Sequence, residues 1–410
     1  MNITITPTRL QGQITPPPSK SQAHRCIIAA ALADGVSVLS NVGRCADVDA
    51  TVACLEELGA QFDWEGTTLT VTGMGASQMS PMRRMAIPRM DCGESGSTLR
   101  FLIPVALAVR AGGVFTGHGR LMERPLKPYF DLFDEKGVFY EQKGDTLTVR
   151  GLLEPGVYRL PGNVSSQFFT GLMFALPLLR GDSDIVLTSE LESGDYVEMT
   201  REAMADAGVL TQAGHIPGGQ TYRPFRKTIE ADWSQAAFFY AAHGLGNDIL
   251  VGGLNPFSLQ GDTRIVPYYM ELCSAEGDVV LDVSQCPDLF PALALLGALR
   301  AGKTTHIGGG ARLRMKESDR IAAVSKALTA LGVEVEQFTD GVALAGVGTL
   351  KGSVTIDCCG DHRIAMMAAV AATRADGPVT LLGAECVSKS YPGFWEDYRS
   401  LGGQFVCTEE

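Results

Sequence analysis

The sequence predicts an α/β protein of two domains, each an inside-out α/β barrel made of three repeated β-α-β-α-β-β units with buried helices and outer sheets. Its 410 residues are more than one ordinary core holds, which favours two domains. Two sequence elements alternate six times along the chain, which indicates internal repeats. The helices of one element are apolar on nearly every side, as in LFPALALLGAL, so we expect them inside each domain.

The first repeated element is a helix that a glycine closes and a short strand follows. Glycine is common just past a helix because it adopts the left-handed backbone conformation at little cost. Several copies continue through a glycine turn into a second strand, as in FDWEGTTLTVTG. The closing glycines are Gly59, Gly137, Gly208, Gly277, Gly332 and Gly402.

The second repeated element is a polar loop that opens an apolar helix and precedes a strand. Its copies begin PSKSQAHR, CGESGSTLR, NVSSQFF, EADWSQAA, QCPDLFPAL and CCGDHRIAMM. A single pair could be a chance likeness between Ala-rich helices, but strict alternation of six copies makes chance a poor explanation. Each polar loop is therefore expected at the N-terminus of a buried helix.

The repeats put the domain boundary near the segment RPFRKTIEADWS. The first domain is predicted to span residues 17–228, and the second to combine residues 1–16 with residues 229–410. The N-terminal strand precedes the first polar loop, so we expect it to complete the last sheet of the second domain. We expect the active site in a cleft between the domains, because N–H groups and helix dipoles at helix N-termini attract anions.

Composition and charge exclude several functions. Lysine and arginine number 34 against 46 acidic residues, and this net charge of −12 argues against nucleic acid as a partner. No apolar run is long enough to span a membrane, and the start has neither signal-peptide nor transit-peptide character, so we expect a cytoplasmic protein. The ten cysteines form no CxxC pair and the six histidines no HxxxH pair, so we expect neither metal nor cofactor. Nothing in the sequence calls for an oligomer, and we expect a monomer.

The polar loops of the first half carry groups suited to binding anions. Lys20 supplies a mobile charge, Ser21 a hydroxyl donor and Arg25 a bidentate fork for carboxylate or phosphate. A serine here is also an ordinary helix cap, but a cap leaves the two cations unexplained. The other candidates in this half are Gly96, Arg124, Ser165, Ser166 and Gln167.

The charged residues of the second half are densest in the segment RLRMKESDR. Lys316 and Arg320 share a helix face four residues apart, with Glu317 beside them. A solvated charged face is the usual explanation of such a run, yet cations at a helix start oppose the helix dipole. Helix capping is the competing explanation for Asp288. The remaining candidates are Arg312, His362, Arg363 and Lys389.

Taken together, these segments resemble the 5-enolpyruvylshikimate-3-phosphate synthase family, the enolpyruvyl transferases of the shikimate pathway. The patterns SKSxxxR, SGxxxR, ERP, SSQF, PD, KESDR, DHR and CxSKSxP occur in family order over nearly the whole chain. The resemblance implies transfer of the enolpyruvyl group of phosphoenolpyruvate to the 5-hydroxyl of shikimate 3-phosphate, in aromatic amino acid biosynthesis. It also implies two domains of three repeats each and inhibition by glyphosate.

The resemblance implies a role for each candidate residue. Asp288 would take the proton of the hydroxyl and Glu317 would protonate the methylene carbon, with Lys20 and His362 as further proton carriers. Shikimate 3-phosphate would be bound by Lys20, Ser21, Arg25, Ser165, Ser166, Gln167, Ser193, Tyr196, Asp288, Arg312 and Lys316. Phosphoenolpyruvate would be bound by Lys20, Gly96, Arg124, Gln167, Arg320, Arg363 and Lys389.

Three positions depart from the commonest family pattern, and two alternatives remain. Glu94 stands where many members have Asn, Phe101 where many have Pro, and Arg312 where many have Asn. The nearest alternative is the UDP-N-acetylglucosamine enolpyruvyl transferase family, whose typical members carry a cysteine in the loop that here reads TGHGRLMERP. A non-catalytic repeat protein that binds anions would explain the cations, but not the paired carboxylates.

Overall fold

The computed structural model describes residues 1–75, 87–212 and 214–408, which divide into two compact units. The continuous unit is Pro18–Glu230. The split unit combines Met1–Pro17 with Ala231–Glu410. Each unit contains both helices and sheets, which confirms the predicted α/β class.

The helices and strands of the described residues are numbered in chain order. The helices are α1 (Lys20–Leu32), α2 (Ala46–Leu58), α3 (Gly96–Arg110), α4 (Lys127–Lys136), α5 (Gln167–Ala175), α6 (Gly194–Asp206), α7 (Trp233–Gly244), α8 (Ile265–Ser274), α9 (Phe290–Ala298), α10 (Arg320–Ala330), α11 (His362–Ala372) and α12 (Phe394–Ser400). The strands are β1 (Asn2–Thr6), β2 (Gln11–Ile14), β3 (Val36–Ser40), β4 (Gln61–Glu65), β5 (Thr68–Thr72), β6 (Arg89–Asp91), β7 (Gly112–Thr116), β8 (Phe139–Lys143), β9 (Thr146–Arg150), β10 (Gly156–Leu160), β11 (Ser183–Leu187), β12 (His215–Ile216), β13 (Arg226–Thr228), β14 (Asp248–Val251), β15 (Val279–Asp282), β16 (Thr304–Gly308), β17 (Glu334–Gln337), β18 (Val342–Ala345), β19 (Val354–Asp357), β20 (Val379–Leu382) and β21 (Gln404–Thr408).

The apolar helices lie inside each unit, as predicted. Helix α9 buries every residue from Phe290 to Ala298, and α11 every residue from His362 to Ala372. In the continuous unit, α1 buries all its residues from Gln22 onward. A helix that is apolar on all sides is stable only when other elements surround it, because any exposed face would leave apolar surface in water.

The described residues of each unit form three separate sheets. In the continuous unit their strand orders are β13-β3-β5-β4, β6-β7-β9-β8 and β10-β11-β12. In the split unit they are β14-β2, β15-β16-β18-β17 and β19-β20-β1-β21. The four-stranded sheets of the continuous unit share one plan, a parallel pair of strands followed by an antiparallel hairpin.

The N-terminal strand completes the last sheet of the split unit, as predicted from the sequence. Strand β1 pairs antiparallel with β20 and with β21, so Ile3 lies opposite both Leu381 and Cys407. Ile3 and Ile5 are fully buried. The first residues of the chain are therefore an interior part of a sheet whose other strands come from residues 354–408.

The repeat is abbreviated at its third and fourth copies. In the third, the next strand after α6 in the described residues is the two-residue β12, which pairs with β11. In the fourth, no hairpin follows α8 among the described residues; the next strand, β15, already belongs to the following sheet, and β14 pairs instead with β2. The sequence cause is that the stretch after Gly277 reaches the next polar loop, QCPDLF, within a single strand length. The predicted six-element unit is thus shortened where the chain has no room for its hairpin.

None of the helices in the described ranges combines the length and the hydrophobicity that a membrane crossing requires.

Candidate active site

Helix α1 of the continuous unit begins in the segment SKSQAHR, and its first turn carries Lys20. Ser19 is the N-cap and its hydroxyl accepts a hydrogen bond from the backbone N–H of Gln22, so one serine of the segment does cap the helix. The Lys20 Nζ donates to Asp47 Oδ2 at 2.7 Å, and both side chains are largely buried. Asp47, in the first turn of α2, was not singled out from the sequence because a carboxylate there looks like ordinary helix-dipole compensation.

Arg25 is buried one turn further along α1 and is held from several sides. Its Nη1 donates to the backbone oxygen of Ser21 at 2.7 Å, and its Nε donates to Thr200 Oγ1 at 2.9 Å and to the backbone oxygen of Tyr196 at 3.2 Å. Burial lowers the pKa of Arg25 to about 10, so the guanidinium stays charged at neutral pH. Its carbon Cζ lies 5.2 Å from the ring centre of Phe101 and 5.5 Å from that of Tyr196.

The Phe101 ring accounts for one departure from the family pattern. The ring packs beside the guanidinium of Arg25 and lies 6.4 Å from the ring of Phe174. Its cation–π contact therefore helps to orient Arg25, a predicted ligand of shikimate 3-phosphate. A second departure, Glu94, places its carboxylate against the backbone of Gly119 in the loop TGHGRLMERP.

Gly96 opens helix α3 and lies directly against the guanidinium of Arg124. A Cβ atom at position 96 would come within 2.7 Å of the Nη1 of Arg124, closer than real contacts allow. Arg124 itself is buried. The absent side chain is therefore what lets the guanidinium approach the N-terminus of α3, and the structure brings these two predicted residues together.

Gln167 begins α5 and is fixed by two residues of α3. Its Oε1 accepts from Arg100 Nη1 at 2.7 Å, and its Nε2 donates to Ser97 Oγ at 3.0 Å. The backbone N–H of Gln167 donates to Ser165 Oγ at 3.3 Å, and Ser166 is buried beside it. Arg100 belongs to the SGxxxR pattern but was not proposed as a site residue; the sequence cannot show that it meets Gln167, 67 positions away.

Ser193 and Tyr196 lie at the start of α6. Ser193 is buried and has φ of 57°, a left-handed conformation that is uncommon and strained for a residue with a side chain. The backbone oxygen of Tyr196 accepts from both Arg25 and Thr200, so α6 is tied to α1. A strained backbone conformation persists only where the surrounding structure holds it in place, and such conformations are found most often at functional positions.

In the split unit, Arg320 is the centre of a buried ionic cluster. Its side chain is 1% exposed, and its Nε donates to Asp361 Oδ2 at 2.8 Å. Its Nη1 donates to Asp288 Oδ1 and its Nη2 to Glu317 Oε2, each at 2.7 Å. One guanidinium thus holds both carboxylates that the sequence proposes for proton transfer.

Asp288 is bound by a second arginine as well. Arg363 Nη2 donates to Asp288 Oδ2 at 2.8 Å, and Lys316 Nζ lies 3.6 Å from Oδ1. Burial acts to raise the pKa of Asp288, and Glu317 acts in the same direction. The cations Arg363, Lys316 and Arg320 outweigh both and hold this pKa well below the usual range of a carboxyl group. Asp288 is therefore ionised in the protein without substrate.

Asp361 anchors the cluster to helix α11. Its side chain is fully buried, accepts from the backbone N–H of Arg363 as the N-cap, and accepts from Ser318 Oγ at 3.0 Å. It was not proposed from the sequence, although it lies in the DHR pattern, because an aspartate at a helix start is the commonest cap. The next residue, His362, is buried with its Nδ1 3.9 Å from Asp361 Oδ1.

Two further predicted ligands contact backbone oxygens in the split unit. Arg312 is buried and its Nη2 donates to the backbone oxygen of Ser284 at 2.5 Å. The Nζ of Lys389 donates to the backbone oxygen of Gly360 at 2.7 Å, beside the start of α11. Within this unit the structure therefore joins Asp288, Lys316, Glu317, Arg320 and Arg363 in one network, with Lys389 and His362 at the start of α11.

Comparison with known proteins shows the family to which the chain belongs. Residues 5–398 match the model of the family described as EPSP synthase (3-phosphoshikimate 1-carboxyvinyltransferase). A protein of that name from Clostridium kluyveri is 43% identical over 98% of this chain and 97% of its own length. One from Clostridioides difficile is 39% identical, with 98% of each chain covered.

Solved structures show the same fold at lower identity. The EPSP synthase from Acinetobacter baumannii superimposes with a TM-score of 0.79 at 22% identity, covering all of both chains. The enolpyruvyl transferase NikO from Streptomyces tendae gives 0.77 at 17% identity over 99% of this chain and 98% of its own. With a family model that spans nearly the whole sequence and relatives near 40% identity, this chain belongs to the EPSP synthase family.

Proposed function

We propose that this chain transfers the enolpyruvyl group of phosphoenolpyruvate to the 5-hydroxyl of shikimate 3-phosphate and releases phosphate. Membership of a family named for this activity supports the proposal, and the relatives match over almost their full length. The observation that carries it is the Arg320 cluster, in which one guanidinium binds both Asp288 and Glu317.

A pair of carboxylates among cations fits catalysis better than simple anion binding. Carboxylates make burial of cations possible, but they also repel anionic ligands and so weaken simple anion binding. The transfer needs one group that accepts a proton from the hydroxyl and another that gives a proton to the methylene carbon. Asp288, ionised in the free protein, suits the first role. We assign the second role to Glu317, which binds the same guanidinium.

The reaction then proceeds by addition and elimination. The 5-hydroxyl oxygen bonds to C2 of phosphoenolpyruvate while its proton passes to Asp288 and the proton of Glu317 passes to C3. The tetrahedral intermediate carries the phosphate and the new ether oxygen on one carbon. A proton of the new methyl group then returns to Glu317, which restores the double bond as the C–O bond to phosphate breaks, and the proton held by Asp288 leaves with the phosphate. Lys20 and His362 are the further candidates for carrying protons.

Phosphoenolpyruvate binding also explains how Asp288 becomes a competent base. In the free protein Arg320 and Arg363 both donate to this carboxylate, which lowers its pKa. The phosphate and carboxylate of the substrate compete for the same donors, since charge-assisted bidentate pairs are what arginine favours. As these donors turn to the substrate, Asp288 loses the charges that depress its pKa and becomes a stronger base.

The proposal assigns substrate-binding roles to residues of each unit. In the continuous unit, Ser21 and Arg25 bind the carboxylate of shikimate 3-phosphate, and Gln167 lies over its ring. Its phosphate is bound by Ser165, Ser166, Ser193 and Tyr196. In the split unit, Lys316 and Arg312 bind its hydroxyls, together with Asp288. Phosphoenolpyruvate is bound by Lys20, Gly96, Arg124, Gln167, Arg320, Arg363 and Lys389.

Phosphate release tests this function against its alternatives. We expect the purified protein to release phosphate from phosphoenolpyruvate only when shikimate 3-phosphate is present. Release that instead requires UDP-N-acetylglucosamine would assign the chain to the other enolpyruvyl transferases, and release with neither acceptor present would be simple hydrolysis. A monomeric enzyme acting in the cytoplasm is part of the same proposal.

A further inference from the structure

A chain of four buried polar side chains runs through the interior of the continuous unit. His24 Nδ1 lies 2.8 Å from Thr51 Oγ1, which lies 2.6 Å from Thr98 Oγ1, which lies 2.7 Å from Ser95 Oγ. All four residues have no exposed surface. They belong to α1, α2, α3 and the N-cap of α3, so the chain crosses three helices.

The direction of every hydrogen bond in this chain follows from the number of hydrogens. Thr98 Oγ1 has one hydrogen, which it donates to Ser95 Oγ, with the backbone oxygen of Asp47 at 3.4 Å as a second acceptor. Thr51 must therefore donate to Thr98, and it can only accept from His24. Because Thr51 accepts this bond, His24 carries a hydrogen on Nδ1. Burial, followed by Lys20 and Arg25, holds the pKa of His24 well below the usual range, so the ring is neutral and Nε2 carries no hydrogen.

The unsatisfied Nε2 of His24 indicates that this series of hydrogen bonds does more than stabilise the fold. Nε2 is buried and has no hydrogen-bond partner among the described residues. Leaving a buried acceptor unsatisfied costs free energy, and a histidine in a purely structural role normally uses both nitrogens. Only the Nδ1–H is used, and it is used to fix the orientation of Thr51.

Two members of this hydrogen-bonded chain, Thr98 and Ser95, lie beside groups that the proposed function assigns to phosphoenolpyruvate. Thr98 contacts the backbone of Asp47, whose carboxylate accepts from Lys20 Nζ at 2.7 Å. Ser95 caps α3 through the backbone N–H of Thr98, directly before Gly96, whose bare backbone lies against Arg124. The chain thus sets the position of the carboxylate that holds Lys20 and of the helix terminus that Arg124 approaches.

We propose that His24, Thr51, Thr98 and Ser95 form a positioning relay that holds Lys20 and the N-terminus of α3 ready for phosphoenolpyruvate. The inference rests on the proposed function, but it concerns residues that touch no substrate. It predicts that breaking the relay weakens phosphoenolpyruvate binding while the acid–base residues in the split unit remain intact.

Two matched pairs of variants test the relay. His24→Asn puts an amide N–H where Nδ1–H was, whereas His24→Gln puts its amide near the position of Nε2. Thr98→Ser keeps the hydroxyl, whereas Thr98→Val removes it at almost unchanged volume. We expect His24→Gln and Thr98→Val to raise KM for phosphoenolpyruvate about tenfold, the effect of one charge-assisted hydrogen bond misplaced, with kcat within about twofold. His24→Asn and Thr98→Ser should stay near the wild type.

The measurements distinguish a positioning role of the relay from a loss of protein stability and from a failure of the proposed function. Urea unfolding and calorimetric phosphoenolpyruvate binding are measured on all five proteins. Equal KM and equal binding across them, whatever their stabilities, would overturn the relay. If the wild type does not turn over, the proposed function fails, and calorimetric binding alone then decides: weaker binding only in His24→Gln and Thr98→Val supports the relay, and equal binding contradicts it.

Discussion

At the scale of single residues, several cations of the candidate site are paired with carboxylates of their own unit. Lys20 binds Asp47, and Arg320 binds three carboxylates. Pairing makes burial of these cations possible, because an isolated charge in the interior would be very costly. The acidic total of the chain is therefore compatible with the proposed function, in which anionic substrates compete with internal carboxylates for donors that are already in place.

The two carboxylates on Arg320 should matter for turnover far more than for binding. Asp288→Asn and Glu317→Gln keep the shape of each side chain but remove its ability to exchange a proton. We expect kcat to fall at least about 100-fold, with the Kd of shikimate 3-phosphate changed much less. Steady-state kinetics and calorimetry measure the two quantities. Asp63→Asn, at an exposed strand position, serves as the control. Loss of binding in parallel with kcat would reduce both carboxylates to positioning residues.

Gly96→Ala should displace Arg124 without harming the fold. The new methyl group would lie 2.7 Å from the Nη1 of Arg124, and the flexible guanidinium would move away. We expect KM for phosphoenolpyruvate to rise about tenfold as a charge-assisted contact is lost, with unchanged thermal stability. Gly348→Ala is the matched control, because a Cβ there meets open space. An unchanged KM in Gly96→Ala would show that Arg124 does not contact this substrate.

The sequence identifies the cations and the proposed acid–base residues, but not all of the carboxylates that pair with the cations. Asp288, Glu317 and Arg320 were predicted and lie in one cluster. Asp47 and Asp361 were missed, because both look like ordinary residues of a first helical turn. Their importance depends on partners 27 and 41 positions away, Lys20 and Arg320. Only the three-dimensional arrangement brings such pairs together.

At the scale of elements, side-chain capping is common to most of the helix starts that carry site residues. Each cap accepts a hydrogen bond from a backbone N–H of its helix, which satisfies a donor that would otherwise be unpaired. The capping residues are Ser19, Ser95, Asp319 and Asp361. Capping and function are therefore not alternatives here, because a capped terminus fixes the backbone from which Lys20 or Arg363 extends.

Asp319→Ala tests the contribution of one cap. Asp319 Oδ1 accepts from the backbone N–H of Ala322 at 3.0 Å, and Oδ2 accepts from Arg314. We expect Asp319→Ala to lower the free energy of unfolding by about 1 kcal/mol, measured with urea. Asp319→Asn keeps a capping oxygen and should lose clearly less. Equal losses in the two variants would show that the ion pair with Arg314, rather than the cap, stabilises α10.

The sequence predicts helix starts and the first hairpins well because their signals are local. Glycine closures, polar loops and alternating strands each lie within about ten residues. The short third sheet and the pairing of β2 with β14 were not foreseen. The second pairing joins residues 11–14 with residues 248–251, and nothing in either segment specifies the other.

At the scale of the whole molecule, one of the two compact units is built from two separate segments of the chain. The split unit needs residues from both ends of the chain, because β1 lies between β20 and β21 and buries Ile3 and Ile5. The continuous unit is a single segment. The position of the N-terminal strand in the last sheet was predicted from the sequence, because that strand precedes the first polar loop and is not part of the first repeat.

Fragments of the chain should therefore differ in their ability to fold. A fragment of residues 18–230 should show a cooperative thermal transition by circular dichroism. A fragment of residues 231–410 should not, because its last sheet would have an apolar gap where β1 belongs. Adding residues 1–17 through a flexible linker should restore the transition. Cooperative unfolding of residues 231–410 alone would contradict the structural role of β1.

The most direct test of the central claim is turnover in deuterium oxide with analysis of the product by mass spectrometry. In the proposed addition and elimination, the methylene carbon gains a solvent-derived proton and the methyl group then loses one of three. We therefore predict that the enolpyruvyl product of shikimate 3-phosphate carries deuterium on its methylene carbon, with one phosphate released per product. Product without deuterium, or no product from shikimate 3-phosphate at all, would contradict the account.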